Sequence, residues 1–340
     1  MVALMADWRP EEREAAQRIV NFFECELRLL KGEKAGRRFL LEPWQERPLR
    51  IAFGRLDEEG RRICRTLYIE VPRKQGKSTL AAGIALYLAF RDVEAGAEVY
   101  CAAKDRAQAK IVFLAAKAMV QRSPALSAEV LPFVGGLERN GDPTTFLRAI
   151  SADAGSQQGL DPHGIVVDEL HVHPNRDLLD VLESASGART QPMEVIITTA
   201  GSNRHSIAWE KHEYARKVLE GRIVDPTFLP VIYAADERDD WKSPATWRKA
   251  NPGLGVSVRL DYLEKECKKA QESPAYENTF RRYHLNQWVS QETRWMPMDR
   301  WDACSVPLDI AAMKGRTCFA GLDLSTTRDL TASALVFQME

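Results

Sequence analysis

The chain has 340 residues, of which 45% are hydrophobic and 28% charged, with 47 Lys and Arg against 48 Asp and Glu for a formal net charge of −1. That is the composition of a soluble globular protein with a real core, long enough for one large domain or two ordinary ones. Six scattered cysteines (Cys25, Cys64, Cys101, Cys267, Cys304 and Cys318) contain no CxxC pair, which argues against structural zinc and a disulfide framework and suits a reducing compartment. The charged N-terminus has no apolar core and is no signal peptide, and the longest apolar run, residues 80–90, is too short to cross a bilayer. A cytoplasmic location is expected. The balanced charge neither favours nor excludes a nucleic-acid partner, because bases gathered on one face cancel in the sum.

In chain order, residues 11–30 have helical spacing, with Ile19, Phe22, Phe23, Leu27 and Leu30 near one face. Strand-like and helical stretches then alternate. Residues 66–71 predict a strand, 78–91 a helix, 98–102 a strand and 105–121 a helix. Residues 145–150 and 165–167 read as strands, 178–186 as a helix and 195–198 as a strand. Alternation of this kind implies parallel strands joined by crossover helices, with both faces of the sheet covered. The texture changes near residue 234, where a polar, Pro- and Gly-punctuated stretch precedes two helices at 261–271 and 275–288. Residues 318–324 and 332–337 read as a strand and its hairpin partner. The expected division is an α/β core over 1–234, a small helical lid over 235–312, and over 313–340 the start of a domain cut short, since two strands make no independent domain.

Four local patterns carry chemistry. A strand runs into Val71-Pro72-Arg73-Lys74-Gln75-Gly76-Lys77-Ser78-Thr79 and a helix begins at once. Backbone N–H groups at such a helix start cradle phosphate, Lys77 reaches the β- and γ-phosphates of ATP, and the Ser78 hydroxyl ligates Mg²⁺. The first glycine of the usual phosphate-loop pattern is Val71 here, while Arg73, Lys74, Gln75 and Thr79 complete the loop. Second, the apolar run Ile165-Val166-Val167 ends in Asp168-Glu169; Asp168 can hold the metal and Glu169 can polarise the attacking water. Third, Val195-Ile196-Ile197 ends in Thr198-Thr199-Ala200-Gly201, whose hydroxyls can sense a γ-phosphate. Fourth, Trp44-Gln45 offers a wall and an amide for adenine. Asp323 places one carboxylate in the terminal strand, where a nuclease would need several around two metal ions.

The order EPWQ, PRKQGKS, ADAGSQQGLDPHGIVVDELH, EVIITTAG, a segment containing Trp295 and Trp301, and GLDLSTTRDLTA resembles the large terminase subunits of tailed phages over nearly the whole chain. The resemblance implies a P-loop NTPase of the additional-strand, catalytic-glutamate type with a mostly parallel sheet, a helical lid, and the first strands of a ribonuclease-H-like nuclease. It implies ATP with Mg²⁺, Gln45 at adenine, Arg73, Gly76, Lys77 and Ser78 in the variant phosphate loop, and Asp168 and Glu169 as magnesium and catalytic carboxylates. Thr198–Gly201 match the coupling motif, and Asp323 matches the first nuclease metal ligand. The implied partners are double-stranded DNA, a portal protein, a small terminase subunit and further copies in a ring, often a pentamer, with an arginine supplied in trans; Arg139 and Arg148 lie in the corresponding region. The remaining nuclease carboxylates would lie past Glu340, so the chain alone is expected not to cut DNA. Rival readings are a helicase-like ATPase, a small-molecule kinase and an assembly scaffold.

Overall fold

The computed structural model describes residues 7–92, 94–151, 159–289, 303, 310–324 and 331–337. Residues 1–294 form one compact unit and residues 295–340 a second. In chain order the first unit comprises α1 (Pro10–Asn21), α2 (Pro43–Gly54), β1 (Thr66–Glu70), α3 (Lys77–Phe90), β2 (Glu98–Ala103), α4 (Arg106–Arg122), α5 (Pro124–Glu129), β3 (Val130–Pro132), β4 (Gly136–Arg139), β5 (Asp142–Ser151), β6 (Pro162–Asp168), α6 (Asp177–Ala185), β7 (Met193–Thr198), α7 (Ile207–Leu219), β8 (Phe228–Ile232), α8 (Pro244–Ala250), α9 (Leu260–Glu272) and α10 (Pro274–Leu285). The second unit contains the antiparallel hairpin of β9 (Cys318–Asp323) and β10 (Ala332–Phe337).

One eight-stranded sheet organises the first unit, in the order β3-β4-β5-β2-β6-β7-β1-β8. Pairing is parallel from β5 through β8 and antiparallel only for β3–β4 and β4–β5. β7 therefore lies between the strand that enters the phosphate loop (β1) and the strand that ends in Asp168 (β6), which is the additional-strand arrangement. Because β1, β7 and β6 are parallel, their C-terminal ends share one edge, where open α/β sheets bind ligands.

The strands are buried on both faces, and their side chains alternate between two cores. Leu67, Ile69, Val99, Cys101, Val166, Val195 and Ile197 join the core beneath α3 and α4. Tyr68, Tyr100, Ile165, Val167 and Ile196 join the opposite core beneath α6 and α7. Past its first turn helix α3 is apolar all round, and Leu80, Ile84, Leu86 and Leu88 are each fully buried, as expected of a helix enclosed by other elements. Each such side chain contributes about 1.5–3 kcal/mol. Asp105 and Ser206 cap α4 and α7 by accepting from Gln108 N and Trp209 N.

Two expected helices end early. The first stops at a π-turn, Phe22–Glu26, and Leu27 is extended, because the chain folds back there into a hairpin that bridges Arg28 and Arg38. The last stops at Leu285, where Asn286 adopts a left-handed conformation (φ 56°). Helices α8, α9 and α10 enclose a core of their own around Trp247, Leu263, Phe280 and Leu285. Among the described residues no helix is long and apolar enough to cross a membrane. The expectations for 152–158, Trp295, Trp301 and, within the GLDLSTTRDLTA stretch, residues 325–330 fall outside the described residues.

Gly83 marks where α3 meets the N-terminal segment. A Cβ there would overlap the Phe23 ring and lie 3.1 Å from Leu27 Cδ1. Gly→Ala inside a helix ordinarily stabilises by up to about 1 kcal/mol. Here overpacking should reverse the sign, so Gly83→Ala is expected to cost about 1–3 kcal/mol in denaturant unfolding. A stabilised variant would disprove the close approach.

Candidate active site

The chain leaves β1 through Val71 and Pro72, both buried, and turns through Lys74 (φ 69°) and Gly76 (φ 80°), the residue that precedes α3. These two left-handed residues bend the loop over the first turn of the fourteen-residue α3, whose N-terminal N–H groups have no partner within the helix and carry its positive dipole end. A cleft of about 460 Å³ opens over this turn, lined by Arg73, Lys74, Gly76, Lys77, Ser78 and Thr79 from the loop and by Asp168, Glu169, His171 and Val172 from the end of β6. Gln108 and Ile111 of α4 form another wall.

Lys77 is only 6% exposed. Its Nζ donates to Val71 O (3.3 Å), Pro72 O (3.2 Å) and Thr199 Oγ1, and lies 3.7 Å from Glu169 Oε1. Burial holds the Lys77 pKa below the usual lysine value, against the opposing pull of Glu169 and Asp168. Ser78 Oγ donates to Asp168 Oδ2 at 2.8 Å. Burial, reinforced by neighbouring Glu169, pushes Asp168 up to about 6. For Glu169 burial acts upward too, but His171 and Lys77 outweigh it and hold the carboxyl at about 2. His171 Nδ1 lies 3.2 Å from both Glu169 Oε2 and Thr198 Oγ1. Asp168 Oδ1 is buried and accepts no hydrogen bond among the described residues. One carboxylate plus one hydroxyl, with a carboxylate oxygen to spare, suits Mg²⁺, which takes few protein ligands and completes its shell with water and phosphate oxygens.

Of the residues singled out from sequence, Arg73, Lys74, Gly76, Lys77, Ser78, Thr79, Asp168 and Glu169 meet at this cleft, whereas Gln45, Gln75, Thr198 and Thr199 do not line it. Thr198 and Thr199 are fully buried; their hydroxyls are engaged by His171 and Lys77, so any sensing of a γ-phosphate passes through those two side chains. Gln45 is buried, and its Oε1 accepts from Glu42 N at the start of α2. The Gln75 side chain points away to the helical cluster: Nε2 donates to Asn251 Oδ1 (2.8 Å) and Oε1 accepts from Gly253 N (2.9 Å). Arg148 pairs with Glu138 at 3.2 Å, and Arg139 donates to Phe90 O at 3.3 Å. Asp323 is exposed at the end of β9, opposite Ala332. Among the described residues no group of three or more His, Cys, Asp or Glu could hold a metal.

Sequence reasoning missed the interactions that tie the loop to the helices. The Arg73 guanidinium lies 3.4 Å from the Tyr283 ring centroid, and Arg73 N donates to Tyr283 O at 2.9 Å. Asn251 Nδ2 donates to His284 O (2.8 Å), closing the chain from Gln75 to α10. At the same end of α10, Asn286 Oδ1 accepts from Ala200 N (2.7 Å), Arg282 Nε donates to Ala200 O (3.1 Å), and Trp288 packs against Gly201. Buried Glu70 anchors the same corner, accepting from Tyr68 OH (2.5 Å) and Trp288 Nε1 (3.3 Å), with His212 Nδ1 at 2.9 Å. The signals were faint: Asn251 opens an Asn-Pro-Gly turn, His171 closes the Asp-Glu-Leu-His run, and Glu70 is the last residue before the loop.

Fold and cleft together define a P-loop ATPase of the additional-strand class. The family described as terminase large subunit, ATPase domain, matches residues 43–217, and the terminase large subunit endonuclease domain matches residues 222–340. The chain belongs to the terminase large subunit family. It is 29% identical over 323 residues to the terminase large subunit of Enterobacteria phage HK97, covering 93% of this chain and 61% of that protein. Protein YmfN of Escherichia coli (strain K12) is 32% identical over 183 residues, covering 54% of this chain and 40% of that protein. The crystal structure of the HK97 bacteriophage large terminase aligns with a TM-score of 0.70 at 26% identity, covering 96% of this chain and 65% of that one. The chain thus spans about three fifths of its HK97 relative. The endonuclease match begins ahead of α8, so it takes in the helical cluster that packs within the first compact unit.

Cutting the clamp at Gln75 leaves buried polar groups on Asn251 and Gly253 without partners. Gln75→Ala and Asn251→Ala should each cost about 1–3 kcal/mol, and the double variant less than their sum by about 1 kcal/mol. Strictly additive unfolding energies would show that no bond joins the pair.

Proposed function

We propose that this chain is the ATP-hydrolysing motor part of a DNA-packaging terminase, which moves double-stranded DNA into a procapsid. The observation that carries the reading is the convergence of Lys77, Ser78, Asp168 and Glu169 on one cleft, with Asp168 Oδ1 buried and unpartnered among the described residues. In this reading Lys77, Arg73 and the loop N–H groups, Lys74 to Thr79, neutralise the triphosphate. Ser78 and Asp168 would hold Mg²⁺, which would offset charge on the transferred phosphoryl group. Glu169 orients water for in-line attack on the γ-phosphate, giving ADP and phosphate. A carboxylate held near 2 is a weak base, so its first task is to aim the water through a hydrogen bond. As Lys77 turns toward phosphate, Glu169 loses that counter-charge and becomes more basic.

The signal then leaves by two routes. Gln75 and Arg73 connect the loop to the helical cluster, our proposed lid within 235–312, and Thr199 connects Lys77 to Ala200 and the end of α10. Residues 1–234 form the proposed ATPase core, with Gln45 near the adenine. Residues 313–340 open the nuclease, with Asp323 as its first metal ligand; the complete domain would use two divalent ions. Working partners would be DNA, the portal, a small terminase subunit and further copies in a pentameric ring, within the host cytoplasm. Family membership disfavours the helicase reading.

Two measurements test the site. Glu169→Gln should lower the turnover number for ATP by about 10²–10⁴-fold while nucleotide binding persists; hydrolysis at the wild-type rate removes Glu169 from its role. Asp168 is neutral below about pH 6 and charged above it. Mg²⁺-dependent binding of a fluorescent ATP analogue should therefore strengthen as pH rises through 6, and Asp168→Asn should bind weakly without that slope. A slope retained in the variant would belong to another group.

A further inference from the structure

We propose that the hairpin of residues 28–38 is a surface that grips the phosphate backbone of double-stranded DNA. The proposal rests on the motor reading above and names where on the ATPase unit the duplex is held. Arg28, Lys31, Lys34, Arg37 and Arg38 stand against one acid, Glu33, and no other stretch of eleven residues in the chain carries as large a net positive charge. Residues 31–38 are all exposed. Among the described residues, Lys31, Lys34, Arg37 and Arg38 make no side-chain hydrogen bond or ion pair. The loop at 57–61 behaves differently: Arg61 there is held by Asp57 at 2.9 Å and Glu59 at 2.8 Å.

The charges sit on a fixed platform. Leu29 N donates to Arg37 O (2.9 Å), Gly36 N to Leu29 O (2.8 Å) and Ala35 N to Gly32 O (3.1 Å). Gly32 (φ 76°) and Gly36 (φ 82°) make the turn, and a Cβ on either would meet nothing within 4 Å. Arg122 buttresses the base by donating to Leu30 O (3.0 Å), and buried Phe39 packs edge-on against Phe23. Little backbone ordering entropy remains to be lost on binding. Residues 31–38 contain no apolar side chain larger than Ala35, whereas a protein interface is anchored by aromatic or large aliphatic groups. Unpaired basic side chains on a rigid turn fit phosphates, with affinity from counterion release and no sequence preference.

The test uses the 340-residue chain and a short blunt-ended DNA duplex, with binding followed by fluorescence anisotropy across a salt series. Combining Lys31→Gln, Lys34→Gln, Arg37→Gln and Arg38→Gln should flatten the slope of log affinity against log salt by about 0.9 for each phosphate no longer neutralised. Affinity at low salt should fall at least about tenfold, while the melting temperature and DNA-free ATP hydrolysis stay unchanged. Lys34→Gln and Arg37→Gln alone should each remove about one unit of slope, which keeps the test open if the combined variant folds poorly. A wild type that binds DNA and variants that keep its slope would overturn the hairpin assignment. Selective loss of binding to polyglutamate, with DNA binding intact, would also overturn it by pointing to an acidic protein. A wild type with no affinity for the duplex would instead overturn the motor reading.

Discussion

Burying the Lys77 ammonium is the constraint around which this edge of the sheet is organised. Removing a charge from water costs several kcal/mol unless its surroundings replace the lost hydration. Here Val71 O and Pro72 O come from the end of β1, Thr199 from the end of β7, and Glu169 from the end of β6. Three parallel strands must therefore end at matching heights. A slip of one residue in β7 would exchange the directions of Thr198 and Thr199, leaving Lys77 without its hydroxyl and His171 without its own. The catalytic geometry and the strand register are one property of the sheet.

The phosphate loop is held from behind as firmly as it is shaped from within. Gln75 is 1% exposed and faces the helical cluster, so the loop contributes some side chains to the cleft and others to the helices. The turn after β7 is bound by α10 and the residues that follow it through an N–H, a carbonyl and the packed face of Gly201. Both connections converge on α10, which can thus report on two parts of the proposed nucleotide site. Such packed, hydrogen-bonded elements tend to switch between arrangements rather than deform gradually.

Local pattern was enough to read β1, β6, β7 and α3, because short apolar runs bounded by loop residues have few alternatives. It was enough to bring Lys77, Ser78, Asp168 and Glu169 to one edge of the sheet, because each follows directly on a strand or opens a helix. Other elements were hidden by local punctuation. Pro230 interrupts β8, which is tolerated because β8 is an edge strand; Pro48 lies inside α2. The Thr198 and Thr199 hydroxyls looked available because their burial depends on Lys77 and His171 closing over them. Gln75 and Asn251 are 176 residues apart, and no periodicity announces a pair at that separation.

Glu169 itself has φ 52° and ψ 51°, a backbone conformation that side chains with a Cβ rarely adopt and that costs roughly 1–2 kcal/mol. Its amide is pinned there by Ile197 O at 2.9 Å, which aims the carboxylate into the cleft. Glycine or asparagine would sit in that conformation more comfortably and would delete the carboxylate to which we assign the attacking water. Heat resistance and turnover thus pull position 169 in opposite directions. A library selected only for thermal resilience would enrich sturdy, idle machines.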